Sequence, residues 1–139
     1  MSTAAGSAVV ADTHAIIWYL TADLRLSALA KLAMDAASAA GQKVYVPTIS
    51  IVEATYLTEK GRLTSEALFQ LQRAILGLNG AFENVPLTVD IALTLASIPR
   101  DAVPDMPDRI IAATALALRL PLVTCDSQIT AAAVVQTIW

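Results

Sequence analysis

The sequence predicts an α/β fold in which a parallel central sheet, of about four to five strands, is flanked by helices on both faces. Three observations support this prediction. Strand-like and helix-like segments alternate along the chain, the clearest strand-like segments are apolar throughout, and the length of 139 residues suits one domain. We therefore expect a single domain over residues 1–139, with residues 1–7 as a disordered N-terminal extension.

The first half of the chain contains two predicted strands and four predicted helices. Ser27 and Thr64 are suitable N-caps for two of the helices. Gly41 and Gly61 are suitable stops just after a helix, and Pro47 ends the second strand. The predicted elements are strand 9–11, a helix around 16–20, helix 28–40, strand 43–46, helix 48–60 and a helix from 65 to 77.

Prolines at positions 99, 104 and 107 enforce a loop in the second half of the chain. Asp108 follows this loop and stands where an N-cap belongs, ahead of a helix that is apolar on all faces and ends before Pro121. Thr88 is the expected cap of an earlier helix that reaches Ile98. The remaining predicted elements are a weak strand at 82–87, a strand at 122–124 and a last strand at 134–138.

Four acidic residues lie at the edges of strongly apolar segments: Asp12, Glu53, Asp108 and Asp126. A carboxylate in such a place needs hydrogen bonds, a cation or a raised pKa. Asp12 and Asp126 follow predicted strands, and the other two lie near predicted helix starts. All four can therefore reach the edge of the sheet at the carboxyl ends of the strands, where α/β proteins place their functional crevice. The pattern predicts a site that a metal ion neutralises.

Three of these acids also have a structural interpretation. Glu53 completes the capping-box pattern Ser50-x-x-Glu53, and Asp108 and Asp126 could each cap the segment that follows. Asp12 is different, because an acid directly after a buried strand has no routine capping role. We therefore regard Asp12 as the acid that is hardest to explain without a site.

The type of metal follows from the available ligands. Mg²⁺ binds through one or two carboxylates and keeps several waters, so four acids are enough for one or two ions. The sequence offers no Cys and His cluster for zinc, since it contains one cysteine, Cys125, and one histidine, His14. A hard cation is therefore the metal that the sequence supports, and Cys125 is expected to be a small buried strand residue.

The net charge of −3 and the pI of about 4.9 exclude a protein that holds nucleic acid by a broad basic face. Any contact with nucleic acid must be local and use a few arginines together with metal ions. The composition, 56% hydrophobic and 15% charged, leaves apolar surface that favours oligomerisation or a protein partner. The sequence shows no secretory signal and no membrane span, so we expect a cytoplasmic protein.

Four motifs together resemble a known family. They are Val10-Ala11-Asp12-Thr13-His14, Pro47 to Glu53, Asp105-Met106-Pro107-Asp108-Arg109 with the following Ile110 to Ala115, and Leu120 to Asp126. Their order and spacing resemble PIN domains, in particular the VapC-type toxins of bacterial toxin–antitoxin pairs. The resemblance covers nearly the whole chain.

The resemblance implies a single PIN-like domain in which Asp12, Glu53, Asp108 and Asp126 are the catalytic, metal-binding acids. It further implies cleavage of RNA with Mg²⁺ or Mn²⁺, a homodimer, and inhibition by a cognate antitoxin. One alternative is a catalytically inactive PIN-fold interaction or RNA-binding module. A phosphotransferase also fits an acidic pocket on an α/β sheet, but no lysine follows Lys60 to hold the phosphate.

Six further residues near the motifs have a possible auxiliary role. Asp105 is a fifth acid, three residues before Asp108, and we treat it as secondary. Arg109 could balance the acids or touch a phosphate, and its alternative is a surface ion pair. Hydroxyl groups could hold metal-bound water or orient the acids, although ordinary capping is equally compatible with them. These hydroxyl residues are Thr13, Ser50, Thr124 and Ser127.

Overall fold

The computed structural model describes residues 6–77 and 80–139, and it contains one sheet of five strands. The strands are β1 (Val9–Ala11), β2 (Val44–Pro47), β3 (Phe82–Val85), β4 (Leu122–Val123) and β5 (Thr137–Ile138). Their order is β3-β2-β1-β4-β5, and every neighbouring pair is parallel. The predicted parallel α/β sheet is confirmed. Of the N-terminal extension that we expected to be disordered, residues 1–5 lie outside the described part of the chain.

Helices occupy most of the segments between the strands. They are α1 (Thr13–Leu20), α2 (Ala28–Ala39), α3 (Thr48–Glu59), α4 (Ser65–Leu76), α5 (Val89–Thr94), α6 (Met106–Leu118) and α7 (Ser127–Ala132), with a 3₁₀ turn at Leu95–Ser97. The predicted caps Ser27, Thr64 and Thr88 each accept a hydrogen bond from a backbone N–H of the helix that follows. Helix α7 was not predicted, because its six residues carry too short a pattern to be read as a helix.

Both faces of the sheet are buried. Successive side chains of a strand point to opposite faces, and β1 shows the consequence: Val9 and Ala11 belong to one apolar cluster, while Val10 belongs to the other. Helices α1, α2 and α4 contribute to the first cluster, and α5, α6 and α7 contribute to the second. The all-apolar strands that predicted a parallel sheet are thus explained by helices packed on both sides.

Helix α6 starts earlier than predicted. Asp105, not Asp108, is its N-cap, because the Asp105 side chain accepts a hydrogen bond from the backbone N–H of Asp108 over 3.1 Å. The prediction failed because Pro107 stands inside the first turn of the helix, where the missing N–H of proline has no intrahelical partner to lose. The prediction that α6 is apolar on all faces is confirmed, since 110–115 are all buried.

Within residues 6–77 and 80–139, the longest helix is α6, with 13 residues. A bilayer requires roughly 20 apolar residues in one helix. None of the described helices therefore qualifies as a membrane span.

Candidate functional site

The structure brings the four predicted acids together in one cleft of about 210 Å³. Because Asp12 follows β1 and Asp126 lies just beyond β4, the cleft opens at the carboxyl ends of these two neighbouring strands. We call it the acidic cleft. Its walls are formed by Asp12, Thr13, His14, Glu53, Asp105, Asp108, Ile111, Cys125 and Asp126.

Asp12 lies at the bottom of the cleft and is buried. One of its carboxylate oxygens accepts a hydrogen bond from the Ala15 N–H over 2.8 Å, and the other accepts one from the Thr124 hydroxyl. Burial raises the pKa of Asp12, while the hydrogen bonds from Thr124 and Ala15 oppose that rise. Our view that Asp12 has no capping role was wrong, because it is the N-cap of α1.

Glu53 enters the cleft from α3. Its carboxylate lies 2.5 Å from the hydroxyl of Thr13, and Thr13 is also hydrogen-bonded to Ser50 over 2.9 Å. The capping-box interpretation was wrong, because α3 begins at Thr48 and its N-cap is Pro47. Ser50 is consequently the third residue of the helix and is fully buried. Instead of closing a helix end, Ser50 and Glu53 connect α3 to the start of α1.

Three carboxylates form the tightest group. One oxygen from each of Glu53, Asp105 and Asp108 lies within 4.8 Å of the other two. The pKa of Asp108 is raised to about 7, first by burial and then by the negative charges of Asp126, Asp105 and Glu53. A hydrogen bond between the Asp108 and Asp126 side chains acts in the same direction. Asp105, which the sequence placed second in importance, is therefore a full member of the cluster.

Asp126 is held at the start of α7, where its carboxylate accepts a hydrogen bond from the Ile129 N–H over 2.8 Å. Its own backbone N–H donates to the hydroxyl of Thr124 over 3.0 Å. Thr124 is fully buried and also donates to Asp12. One threonine side chain thus connects two acids that lie 114 positions apart in the sequence.

Two of the predicted auxiliary residues lie elsewhere. The Arg109 guanidinium donates to the backbone carbonyls of Leu95 and Ile98, over 3.1 and 2.8 Å, so it ties α6 to the segment before it. Ser127 is exposed at the first position of α7. Arg109 therefore does not balance the acids, because its guanidinium is hydrogen-bonded to these carbonyls.

Sequence reasoning misplaced one residue of the cleft. Cys125 was expected to be a buried strand residue, but β4 ends at Val123 and the Cys125 side chain is exposed in the cleft. The signal that could have identified it is the one that identified Asp126, namely a position just beyond the carboxyl end of a buried strand.

The residues of the acidic cleft fit a hard divalent cation. Among the described residues, the group that could hold a metal consists of carboxylates alone, and carboxylates are the ligands that Mg²⁺ and Mn²⁺ prefer. Ligand oxygens on opposite sides of Mg²⁺ stand about 4.2 Å apart, since each Mg–O distance is about 2.1 Å. Oxygens within 4.8 Å of one another meet this requirement after a small side-chain adjustment. Glu53, Asp105 and Asp108 would hold the ion. Asp12 and Asp126, the other two predicted ligands, line the same cleft outside this group of three.

Comparison with known proteins agrees with this geometry. The sequence pattern of the PIN domain family matches residues 9–135 of the chain. The chain belongs to the PIN domain family. No curated protein sequence matches this PIN domain at a significant level.

Several solved structures share the fold of this PIN domain. One is VapBC2 from Rickettsia felis bound to a promoter DNA fragment, with a TM-score of 0.69, 11% identity, and coverage of 94% of this chain and 96% of that chain. A second is FitAcB from Neisseria gonorrhoeae, with a TM-score of 0.60, 22% identity, and coverage of 93% and 95%. A third is a toxin–antitoxin complex from Klebsiella pneumoniae, with a TM-score of 0.53, 18% identity, and coverage of 86% and 87%. At these identities the likeness establishes a common fold.

Proposed function

We propose that this PIN domain is a Mg²⁺- or Mn²⁺-dependent endoribonuclease and that it acts as the toxin of a toxin–antitoxin pair, of the VapC type. The observation that carries the proposal is the convergence of five carboxylates in one cleft, three of them with oxygens within 4.8 Å of each other. The similarity to the chains of VapBC2 and of the Klebsiella pneumoniae toxin–antitoxin complex supports the toxin assignment.

The residues of the cleft are arranged to receive positive charge. Burial, followed by the negative charges of Asp126, Asp105 and Glu53, raises the pKa of Asp108 to about 7, and a bound cation would offset the repulsion among these acids. The chemistry that Mg²⁺ or Mn²⁺ supplies when bound is charge to stabilise the phosphate and a lowered pKa for water. The protein contributes orientation, because Thr13 fixes the carboxylate of Glu53 and Thr124 fixes that of Asp12.

An antitoxin and a second copy of the chain are the protein partners that we propose. Large apolar side chains are exposed on several elements, and a surface of this kind favours a protein partner. The most exposed are Leu24 at 99%, Leu76 at 79%, Val89 at 74% and Leu93 at 70%. The toxin–antitoxin complex from Klebsiella pneumoniae supports the view that a chain of this fold works in a complex.

The nuclease function is tested with purified protein and a mixed pool of cellular RNA. We expect cleavage with Mg²⁺ or Mn²⁺, no cleavage with a chelator, and no cleavage by Asp12→Asn. Asp101→Asn is the matched control, because Asp101 is an exposed acid in the loop before α6. Absence of both metal binding and cleavage in the native protein would support a catalytically inactive PIN module instead.

The toxin role is tested in cells. We expect expression of the chain to arrest growth and fragment RNA, and coexpression of the product of a small adjacent reading frame to prevent both effects. Growth arrest that persists with Asp12→Asn would contradict a toxic effect caused by cleavage.

A further inference from the structure

A second groove lies directly beside the acidic cleft and carries two arginines. Its volume is about 260 Å³, and its walls include His14, Trp18, Asp23, Arg25, Leu57 and Arg62. We call it the arginine groove. His14 forms part of the wall of both cavities, so the groove and the cleft are neighbours on either side of this residue.

Two helices lead from the cleft to the groove. Helix α3 places Glu53 in the cleft and Leu57 in the groove, four residues or about 6 Å further along the helix axis. Helix α1 likewise places Thr13 in the cleft and Trp18 in the groove. An extended ligand that occupied the cleft would therefore reach the groove within about one helical turn.

The two arginines retain hydrogen-bonding capacity for a ligand. The Arg25 guanidinium lies over the Trp18 ring, with Cζ 4.8 Å from the ring centroid, and this contact fixes its position. Asp23 accepts hydrogen bonds from Arg25 Nε and Nη2 over 3.0 and 2.8 Å. These bonds use two of the five N–H donors of the guanidinium, so three donors are not used by Asp23. Arg62 is an exposed residue of the groove wall, in the turn between α3 and α4.

Most other cations of the chain cannot serve the cleft. Arg109 is bound to backbone carbonyls, and Arg119 lies just before β4, at the opposite edge of the sheet. Three more cations lie on other elements and line neither the cleft nor the groove: Lys31 on α2, Lys43 just before β2 and Arg73 on α4. In a chain with a net charge of −3, the arginine groove is a source of positive charge beside the acids.

We propose that the arginine groove binds the phosphate backbone of the RNA strand on one side of the bond cut in the acidic cleft, through Arg25 and Arg62. This inference rests on the proposed function. Phosphate is the chemistry assigned, rather than a stacked base, because the Trp18 ring already contacts His14, Trp139 and Arg25. An arginine fork matches phosphate oxygens in both charge and geometry.

The test measures RNA binding separately from cleavage. All variants carry Asp12→Asn, and binding of a fluorescein-labelled pool of random single-stranded RNA is followed by anisotropy with Mg²⁺ across a series of salt concentrations. Arg25→Gln with Arg62→Gln removes two phosphate contacts. Lys31→Gln with Arg73→Gln changes the net charge equally and is the matched control. Thermal melting confirms that each variant is folded.

For single-stranded RNA each phosphate contact contributes about −0.7 to the slope of log K against log salt, so losing two contacts reduces the magnitude of the slope by about 1.4. Binding would then be about 25-fold weaker at 0.1 M salt and nearly equal at 1 M. We expect the control pair to change binding less than twofold. We further expect Asp23→Asn to tighten binding, because it frees Arg25, whereas Asp35→Asn should not.

Three outcomes would overturn the proposal. The first is an equal loss of affinity in the arginine pair and the control pair. The second is an unchanged salt slope in the Arg25→Gln, Arg62→Gln double variant. If the native chain still cleaves RNA with Mg²⁺ in that case, the nuclease function stands and only the role of the groove is lost. The third is unchanged RNA binding with loss of binding to the product of the adjacent reading frame, which would assign the groove to a protein partner. If the double variant has a slope of smaller magnitude but the native chain does not cleave RNA, the role of the groove in RNA binding is supported and the nuclease function is contradicted.

Discussion

The hydroxyl of Thr13 lies 2.5 Å from the carboxylate of Glu53, and this contact joins the first residue of α1 to the middle of α3. An ionised carboxylate can only accept hydrogen bonds, so the hydroxyl proton points to Glu53. Ser50, fully buried one turn before Glu53 on α3, contacts the same hydroxyl over 2.9 Å. The orientation of a proposed metal ligand therefore depends on a residue that does not itself need to touch the metal.

Thr13→Val should disrupt this orientation, because valine keeps the shape of threonine and removes the hydroxyl. We expect Mn²⁺ affinity or RNA cleavage to fall by about 10- to 100-fold, the usual cost of losing a group that orients a metal ligand. Thr13→Ser should retain most of both properties. Calorimetry with Mn²⁺ and a cleavage assay give the measurements. Thr55→Val is the control, since its hydroxyl bonds only within α3, to the Ile51 carbonyl, and equal losses in both valine variants would contradict the orienting role.

The sequence predicted the sheet well because its signals are local. Strand β1 is apolar at every position, and helices capped by residues such as Ser27 and Thr64 follow a rule that operates within three residues. The acids were also found locally, since Asp12 and Asp126 lie just beyond the carboxyl ends of strands and that edge is where α/β proteins place their sites.

The role of Glu53 was missed because it depends on a contact between distant segments. Nothing within a few residues of Glu53 indicates that it pairs with Thr13 rather than with the start of its own helix, because the two residues are 40 positions apart. Asp105 and Asp108 both precede the buried residues 110–115, and the choice of N-cap depended on whether Pro107 lies before the first turn of the helix or inside it. Without knowing which of the two is the N-cap, the sequence could not show that Asp105 belongs to the cluster with Glu53 and Asp108.

Asp12→Asn and Asp12→Ala should separate the two roles of Asp12. Asparagine can still accept the hydrogen bond from the Ala15 N–H, whereas alanine cannot, and neither carries charge. We expect both to abolish cleavage, and Asp12→Ala to be less stable than Asp12→Asn by about 1 kcal/mol, the cost of an N-cap. Urea unfolding without metal gives the stability difference. Equal stability of the two variants would contradict the capping role, and cleavage by either would contradict the catalytic one.

Asp105→Asn should weaken metal binding while preserving α6. Asparagine is as good an N-cap as aspartate, so helix content should not change, but the cluster with Glu53 and Asp108 loses one charge. We expect Mn²⁺ affinity to fall at least tenfold by calorimetry, the order of effect that a supporting metal-site group has. Asp101→Asn, in the same exposed loop, should leave the affinity unchanged. A tenfold loss in both variants would indicate a general charge effect and not a ligand.

The metal-free protein should lose stability as the pH rises toward neutrality. The ordinary pKa of an aspartate side chain is 3.8, and the pKa of Asp108 is about 7 in the folded protein. The folded state therefore binds a proton at Asp108 more tightly than the unfolded state does. Stability therefore falls as the pH rises from 3.8 to about 7 and is constant above that range, as far as Asp108 is concerned. The raised pKa of Asp12 acts in the same direction.

Thermal melting at pH values from about 5 to about 8 tests this expectation, because carboxyl groups with ordinary or lowered pKa are already ionised in both states there. The native chain should lose more stability across this range than Asp108→Asn, which has no proton to release at that position. Saturating Mg²⁺ should reduce the difference, since a bound cation favours the ionised carboxylate. If the native chain and the Asp108→Asn variant showed the same pH dependence, Asp108 would not have a raised pKa in the folded protein. The electrostatic argument for a cation in the cleft would then be lost.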